Sequence, residues 1–197
     1  MVSQGHLGMI RCWVLGLLFS ALLLASPAMA TQDKIALSAY AKSPVGSVLF
    51  LRHALAPGNG DPADFALADC ASQRNLDAVG RRQAATLGEL FRQHAIAFPR
   101  IYSSQWCRCR ETARLLEMGP VVDLPGLNSF YQGIVPREAT LEALRAAMSE
   151  LPDDDGLTLM VTHYVTISAI TGIGVASGEA VAFDPATGSA VKLDLAQ

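Results

Sequence analysis

The sequence has no surplus of positive charge, since 15 Lys and Arg stand against 18 Asp and Glu and leave a net charge of −3. The basic residues are scattered along the chain rather than clustered, so a nucleic acid is not an expected partner. Internal repeats and low-complexity segments are also missing. What the chain does have is apolar residues: 51% hydrophobic content over 197 residues is enough to bury one sizeable core, which predicts a single domain.

Cysteine and histidine are both scarce, with four residues of each. Cys107 and Cys109 are separated by one residue, which is not a zinc-ligand spacing, and only three histidines follow residue 30. A metal site is therefore not expected. In an oxidising compartment one disulfide can form, from Cys70 to either Cys107 or Cys109, and one thiol is left over.

Long apolar runs are confined to the N-terminus, where residues 12–25 follow Arg11 and are interrupted only by Ser20. Residues 27–30 then supply small side chains in an Ala-x-Ala pattern. This order predicts a signal peptide over residues 1–30, cleaved after Ala30. The alternative is an uncleaved membrane anchor, which needs roughly 20 apolar residues and a polar stop behind them. Cleavage would leave residues 31–197 as an exported domain, periplasmic or extracellular, with no stable membrane insertion.

Predicted strands and helices alternate along residues 31–197. Such alternation predicts an α/β fold, here a three-layer α/β/α sandwich with a largely parallel central sheet. The predicted strands are 48–51, 98–102, 121–124, 157–161 and a hairpin of 180–183 with 190–195. The predicted helices are 31–43, one capped by Asp77, one capped by Ser103-Ser104, one whose first turn contains Pro136, and one from Thr166; the long loops are 58–75 and 126–135.

Polar side chains follow three of the predicted strands. Arg52-His53 ends the first, Ser103-Ser104 ends the second, and Thr162-His163 ends another. In an open α/β sheet, ligands bind just beyond the carboxyl ends of the strands. If these strands are parallel, the three groups converge on one crevice.

Arg108 indicates what such a crevice would bind. It is predicted to lie in the first turn of a helix, where the helix dipole disfavours a cation. A bound anion would offset this, because helix N–H groups and guanidinium forks both suit phosphate oxygens. The alternative is an ordinary solvated ion pair of Arg108 or Arg114 with Glu111. The two strand-end histidines favour the anion site.

Four motifs in the sequence resemble those of the histidine phosphatase superfamily, also called phosphoglycerate-mutase-like. They occur in the family's order between about residues 48 and 172, which is most of the predicted mature chain. The motifs are Arg52-His53-Ala54 before Pro57-Gly58; residues 76–80 with Arg81; Ser104, Arg108 and Thr112-Ala113; and Val161-Thr162-His163 before Ile170-Thr171-Gly172. The resemblance implies a phosphoglycerate-mutase-like fold.

The resemblance also implies roles for single residues. His53 would be the nucleophile, and Arg52, Arg108 and His163 would clamp the phosphoryl group. The protein would then be an exported, metal-independent phosphatase that forms a phosphohistidine and needs no cofactor. Its substrate would be a small-molecule or envelope-associated phosphorylated compound. The alternative is a phosphate-ligand binding protein on the same fold, with weak or no catalysis.

Two positions depart from the family pattern. Ala54 replaces the usual glycine after the histidine. Ser129 falls where many relatives carry the glutamate that protonates the leaving group, and a hydroxyl is too weak an acid for that task. Asp61, in the 58–75 loop, is the candidate substitute for this proton donor, although it is equally suited to a turn.

Overall fold

The computed structural model describes residues 1–2, 34–152 and 156–195. Of the chain's two units, Met1–Thr31 and Gln32–Gln197, the second holds every element named below. The predicted signal peptide, residues 1–30, lies outside the described residues except for its first two, so its cleavage stays a prediction. Within the described ranges, no helix combines the length and apolar character needed to cross a bilayer.

Strands and helices alternate along these ranges. The strands are β1 Lys34–Ala36, β2 Val48–Arg52, β3 Arg100–Ser103, β4 Val122–Asp123, β5 Thr158–Thr162, β6 Ala180–Phe183 and β7 Ala190–Asp194. The α-helices are α1 Leu37–Lys42, α2 Ala78–Gln93, α3 Cys107–Leu115, α4 Arg137–Ser149 and α5 Tyr164–Thr171. Short 3₁₀ helices lie in two loops, at Cys70–Ser72 and Pro125–Leu127.

One sheet contains the seven strands in the order β1-β7-β6-β2-β5-β3-β4. Four of the six neighbouring pairs are parallel; the antiparallel pairs are β2 with β6 and β6 with β7. The predicted fold class, with its largely parallel sheet and its C-terminal hairpin, is confirmed. Because β2, β5 and β3 are adjacent and parallel, their carboxyl ends lie at one edge of the sheet.

Helices cover both faces of the sheet. Leu51 of β2 packs in one apolar cluster with Phe91 of α2. Phe50, its neighbour in β2, packs in a second cluster with Leu144 of α4 and Ile167 of α5. Since successive side chains of a strand point to opposite faces, the apolar run of β2 is buried on both sides and produces the three layers.

The start of α2 is determined locally and then packs against the chain that follows β2. The Asp77 carboxylate accepts a hydrogen bond from the Gly80 N–H at 2.8 Å, as expected of an N-cap. A Cβ on Gly80 would lie 1.9 Å from the carbonyl oxygen of Leu55. Glycine at this position therefore lets the helix approach the backbone two residues beyond His53.

The structure corrects three predicted helix boundaries. Residues 31–43 are not one helix, because β1 pairs in parallel with β7 before α1 begins. Helix α3 begins at Cys107 rather than directly after Ser103-Ser104: Ser103 ends β3, and the Ser104 N–H donates to the Val161 carbonyl. Helix α5 begins at Tyr164, two residues before the predicted start. In the first two cases, pairing with a distant strand overrides the local helix signal.

Candidate active site

The three predicted strand ends meet at one edge of the sheet. Arg52 is in register with Thr162, and the His53 N–H donates to the Thr162 carbonyl at 2.9 Å. A cavity of about 130 Å³ opens at this edge, and its lining includes Arg52, His53, Arg108 and His163. One water needs only about 10–15 Å³, so the cavity has room for a larger ligand. The structure thus brings the four predicted residues together.

His53 is held as a neutral imidazole with one free nitrogen. Its side chain is 2% exposed, and Nδ1 lies 2.8 Å from the Ala54 carbonyl oxygen. A carbonyl only accepts, so the proton is on Nδ1 and Nε2 keeps its lone pair. Burial lowers the pKa of His53 to about 3, and the charges of Arg108, Arg52 and Arg74 act in the same direction. The imidazole is therefore neutral at ordinary pH and can act as a nucleophile.

A hydrogen-bond network fixes the second histidine. Asn128 Oδ1 accepts from the Gln105 N–H at 2.9 Å and from the Ser104 hydroxyl at 3.2 Å. The same hydroxyl lies 2.9 Å from His163 Nε2, and the Cys109 Sγ lies 3.4 Å from that nitrogen. Burial, followed by the charge of Arg108, lowers the pKa of His163 well below its ordinary value.

Arg108 is paired with Asp61, not with Glu111. Its two terminal nitrogens lie 2.7 and 3.1 Å from the two Asp61 oxygens, and both side chains are 3% exposed. The buried Arg108 Nε has no hydrogen-bond partner within the part of the chain that the structure describes. The carboxylate thus holds both terminal nitrogens of the guanidinium fork, and the Nε group is left without a protein partner in that part of the chain. Glu111 is instead 3.4 Å from Arg81.

The surroundings of Asp61 favour its ionised form. Burial alone would raise the pKa of Asp61, but hydrogen bonds and charge from Arg108, with hydrogen bonds from Trp106 and the Arg74 N–H, lower it below its ordinary value. A carboxylate held in this way is a poor proton donor. The geometry favours a role in positioning Arg108, and the role of Asp61 as an acid stays a prediction.

Two further arginines make the cavity strongly positive. Arg52 donates to the Val175 carbonyl at 2.8 Å, and its buried Nε has no hydrogen-bond partner among the described residues. Arg74 also lines the cavity and donates through Nε to the Gly60 carbonyl. Burial, followed by the charge of Arg108, lowers the pKa of both Arg52 and Arg74. These three guanidiniums repel one another, and a bound anion would relieve that repulsion.

Neither Arg74 nor Asn128 is among the site residues predicted from the sequence. The only signal for Arg74 is its place in the 58–75 loop, since loops of that length are commonly functional or disordered. Asn128 lies directly before Ser129 in the segment compared with the family pattern. In both cases the role comes from contacts with residues far away in the sequence.

A disulfide attaches the 58–75 loop to the start of α3. Cys70 is bonded to Cys107, which resolves the two pairings that the sequence left open, and Cys109 is a buried free thiol. Gln73 adds a second attachment, because its side-chain oxygen accepts from the Cys107 N–H at 2.9 Å. The loop that carries Asp61 and Arg74 is thus held beside Arg108. Gln73 also occupies the Cys107 N–H. The anion-binding groups near the start of α3 are therefore the guanidiniums rather than that helix N–H.

A second loop forms the outer part of the cavity. Ser129 lines it and is 6% exposed, so the residue that replaces the expected glutamate does lie in the site. Of the described residues that line the cavity, Asp61 is the single carboxylate.

Across the described ranges, no three His, Cys, Asp or Glu side chains are grouped so that they could hold a metal ion.

Comparison with known proteins gives a consistent family. Residues 48–154, more than half of the chain, match the model of the histidine phosphatase superfamily, branch 1. No curated protein sequence matches the chain.

Three solved structures are similar in fold. The phosphoglycerate mutase from Thermus thermophilus has 21% identity and a TM-score of 0.54, with 76% of this chain and 99% of that chain covered. TTHB049 from the same organism has 20% identity and a TM-score of 0.53, covering 75% and 99%. A structure assigned to the phosphohistidine phosphatase SixA from Agrobacterium tumefaciens has 21% identity and a TM-score of 0.51, covering 76% and 97%.

Proposed function

The chain belongs to the histidine phosphatase superfamily, branch 1, and we propose that it is a phosphatase that hydrolyses phosphomonoesters through a phosphohistidine on His53. The observation that carries this proposal is the state of His53: a buried, neutral imidazole with a free Nε2 in a cavity lined by three arginines. Phosphoryl transfer needs mainly an aligned nucleophile and positive charge around the transferred oxygens. Both are present.

The proposed reaction has two steps. His53 Nε2 attacks phosphorus, the bond from phosphorus to the ester oxygen breaks, and its electron pair leaves with that oxygen. Water then attacks the phosphohistidine, which releases inorganic phosphate and restores the imidazole lone pair. Arg52 and Arg108 would hold the phosphoryl oxygens through their unpartnered Nε groups, with His163 beside them. In this scheme the guanidiniums supply the positive charge that a metal ion supplies in other phosphatases.

Export is part of the proposal. The predicted signal peptide supports it, and so does the Cys70–Cys107 disulfide, since disulfides persist in oxidising compartments. Mass spectrometry of the exported protein should find Thr31 as the first residue. An intact chain that pellets with membranes would favour the anchor.

One observation favours the alternative, a protein that binds a phosphorylated ligand with little turnover. Ser129 stands in place of the expected acid, and Asp61 is engaged with Arg108. Turnover of an aryl phosphate by the purified mature chain separates the two functions, because such an ester needs little help in leaving.

Replacement of the nucleophile tests the mechanism. His53→Ala should lower kcat by about 10⁴-fold or more, as removal of a nucleophile does in other enzymes, while vanadate still binds because the arginines remain. Rapid acid-free quenching of the wild type should trap a phosphoenzyme that is labile to acid and is missing in the variant. His94→Ala, which changes a histidine outside the site at the end of α2, is the matched control. Near-native turnover of His53→Ala would contradict the mechanism, and rescue of chelated enzyme by divalent metal would contradict its metal independence.

A further inference from the structure

The cavity has a buried inner end and an exposed outer end. His53, Arg108 and His163 are 2–3% exposed at the inner end. Three large side chains at the outer end are 40–54% exposed: Tyr131, Ile134 and Tyr164. In phosphoryl transfer the attacking and leaving oxygens are roughly in line. With His53 buried at the inner end, the leaving group must extend toward the outer end.

The charged residues of the cavity lining are the three arginines and Asp61. None of the three large side chains at the outer end is charged, although the Arg52 Cζ lies 5.7 Å from the centre of the Tyr164 ring. A leaving group with its own charge would therefore meet uncharged side chains in Tyr131, Ile134 and Tyr164, whereas an aromatic ring can pack against them.

The amides of the outer end are already engaged with protein groups. Asn59 Nδ2 donates to the Tyr131 hydroxyl at 3.0 Å. Gln132 Oε1 accepts from the Asp61 N–H at 2.6 Å, and its Nε2 donates to the Asp61 carbonyl at 3.1 Å. These bonds join the two loops above the cavity and reduce what remains for the hydroxyls of a sugar or polyol. The largest exposed surfaces left to a ligand are the Tyr131 and Tyr164 rings and the Ile134 side chain.

We propose that the outer end selects a neutral aromatic leaving group, so that the substrates are aryl phosphates. This inference rests on the proposed phosphatase function and specifies its substrate class. The chemistry of the site agrees with it, because a phenol is a far stronger acid than an alkyl alcohol, with a pKa of about 10. A phenolate can leave without the carboxylic acid that Ser129 replaces. The group recognised is the aryl phosphate itself, which can belong to a free small molecule or to a phosphorylated tyrosine in a peptide.

Binding of phosphonates separates recognition from reactivity, because their carbon–phosphorus bond cannot be hydrolysed. Calorimetry with the mature protein would compare methylphosphonate, naphthylmethylphosphonate, 4-carboxybenzylphosphonate and a polyhydroxylated alkylphosphonate. Naphthylmethylphosphonate should bind at least about tenfold more tightly than methylphosphonate, a difference of ~1.4 kcal/mol that burial of one ring face can supply. Equal affinities, or tightest binding of the polyol or the carboxylate, would overturn the proposal.

Variants assign the selectivity to the outer end. In Tyr131→Ser and in Ile134→Ser, the ratio of naphthylmethylphosphonate to methylphosphonate affinity should fall several-fold. Tyr131→Phe keeps the ring, and Val79→Ser removes an apolar side chain that is 49% exposed elsewhere on the molecule; both should keep the wild-type ratio. An unchanged ratio in both serine variants would overturn the assignment.

Two further measurements complete the test. Hydrolysis of acetyl phosphate, whose leaving group is small and reactive, reports on the phosphatase function alone, so its failure is distinct from a loss of aromatic selectivity. A neutral peptide that contains phosphonomethyl-phenylalanine, compared with benzylphosphonate, distinguishes a protein-bound from a small-molecule source of the aryl phosphate.

Discussion

Asp61 is the residue whose chemistry depends most on its partners. An isolated aspartate in a loop could protonate a leaving group, but here Arg108, Trp106 and the Arg74 N–H all donate to its oxygens. The same contacts hold the two terminal nitrogens of Arg108 and leave its Nε without a partner among the described residues. Asp61 is therefore better placed to organise the phosphate site than to supply a proton.

The leaving-group dependence of phosphorylation tests this role. Across a series of phenyl phosphates, the single-turnover rate should fall steeply as the leaving-group pKa rises, because general acid help, typically about 10²–10⁴-fold, is missing. Asp61→Asn should leave that slope unchanged but destabilise the protein by about 3–5 kcal/mol, since Arg108 loses its buried partner. Vanadate should restore part of this stability.

Ser129→Glu restores a carboxylic acid at this position. It should make the single-turnover phosphorylation rate depend less steeply on the leaving-group pKa. If the slope in wild type is already flat and steepens in Asp61→Asn, Asp61 is the acid after all.

At the scale of elements, the disulfide determines where the 58–75 loop lies. It closes a segment with a sequence separation of 37 and attaches the loop to α3. The double substitution Cys70→Ser with Cys107→Ser should lower the free energy of unfolding by about 2–4 kcal/mol. It should also weaken vanadate binding, because Asp61 and Arg74 are no longer held beside Arg108. Urea denaturation and calorimetry measure the two effects.

Reductant provides the control for this prediction. It should weaken the wild type to the level of the double variant and leave the double variant unaffected. Equal stability of the oxidised wild type and the double variant would show that the loop is held without the disulfide.

The contact between α2 and the segment after β2 gives a second prediction at this scale. Gly80→Ala should destabilise the protein by about 1–3 kcal/mol, because the new methyl group meets the Leu55 carbonyl. This loss should occur although alanine favours an isolated helix by ~1 kcal/mol over glycine. Gly174→Ala is the matched control, since its nearest contact would be an ordinary 3.6 Å from Tyr164. Urea denaturation of both variants decides the prediction, and a stabilised Gly80→Ala would contradict it.

For the whole molecule, the buried histidines should make stability depend on pH. The pKa of His53 is about 3 in the folded state against an ordinary value of 6.5. Between these values the unfolded chain binds a proton that the folded protein does not, so the free energy of unfolding should rise from about pH 3 to 6.5 and then level off. His163 acts in the same direction.

Denaturation as a function of pH measures this effect. His53→Gln should show a shallower rise than the wild type below pH 6.5, and a constant difference from the wild type above it. Parallel curves over the whole range would mean that His53 does not titrate differently in the two states.

Several features could be predicted from the sequence because their signals are local. The buried strand before Arg52-His53, the Asp77 cap and the C-terminal hairpin each depend on a short pattern of apolar, capping or turn residues, and the structure confirms them. The grouping of Arg52, His53 and His163 also followed from strand ends, since adjacent parallel strands bring their carboxyl ends to one edge. Arg108 was added by the helix predicted after the second strand and by the family resemblance.

Only the tertiary structure decided which distant groups meet. Asp61 and Arg108 are separated by 47 positions, and no local pattern shows that they pair. The partner of Cys70, the place of Arg74 and the pairing of β1 with β7 depend in the same way on how loops and sheet edges pack. Periodicity and capping act over a few neighbouring residues, so they determine elements, whereas the contacts that set the charge and proton positions of this site arise only when those elements are assembled.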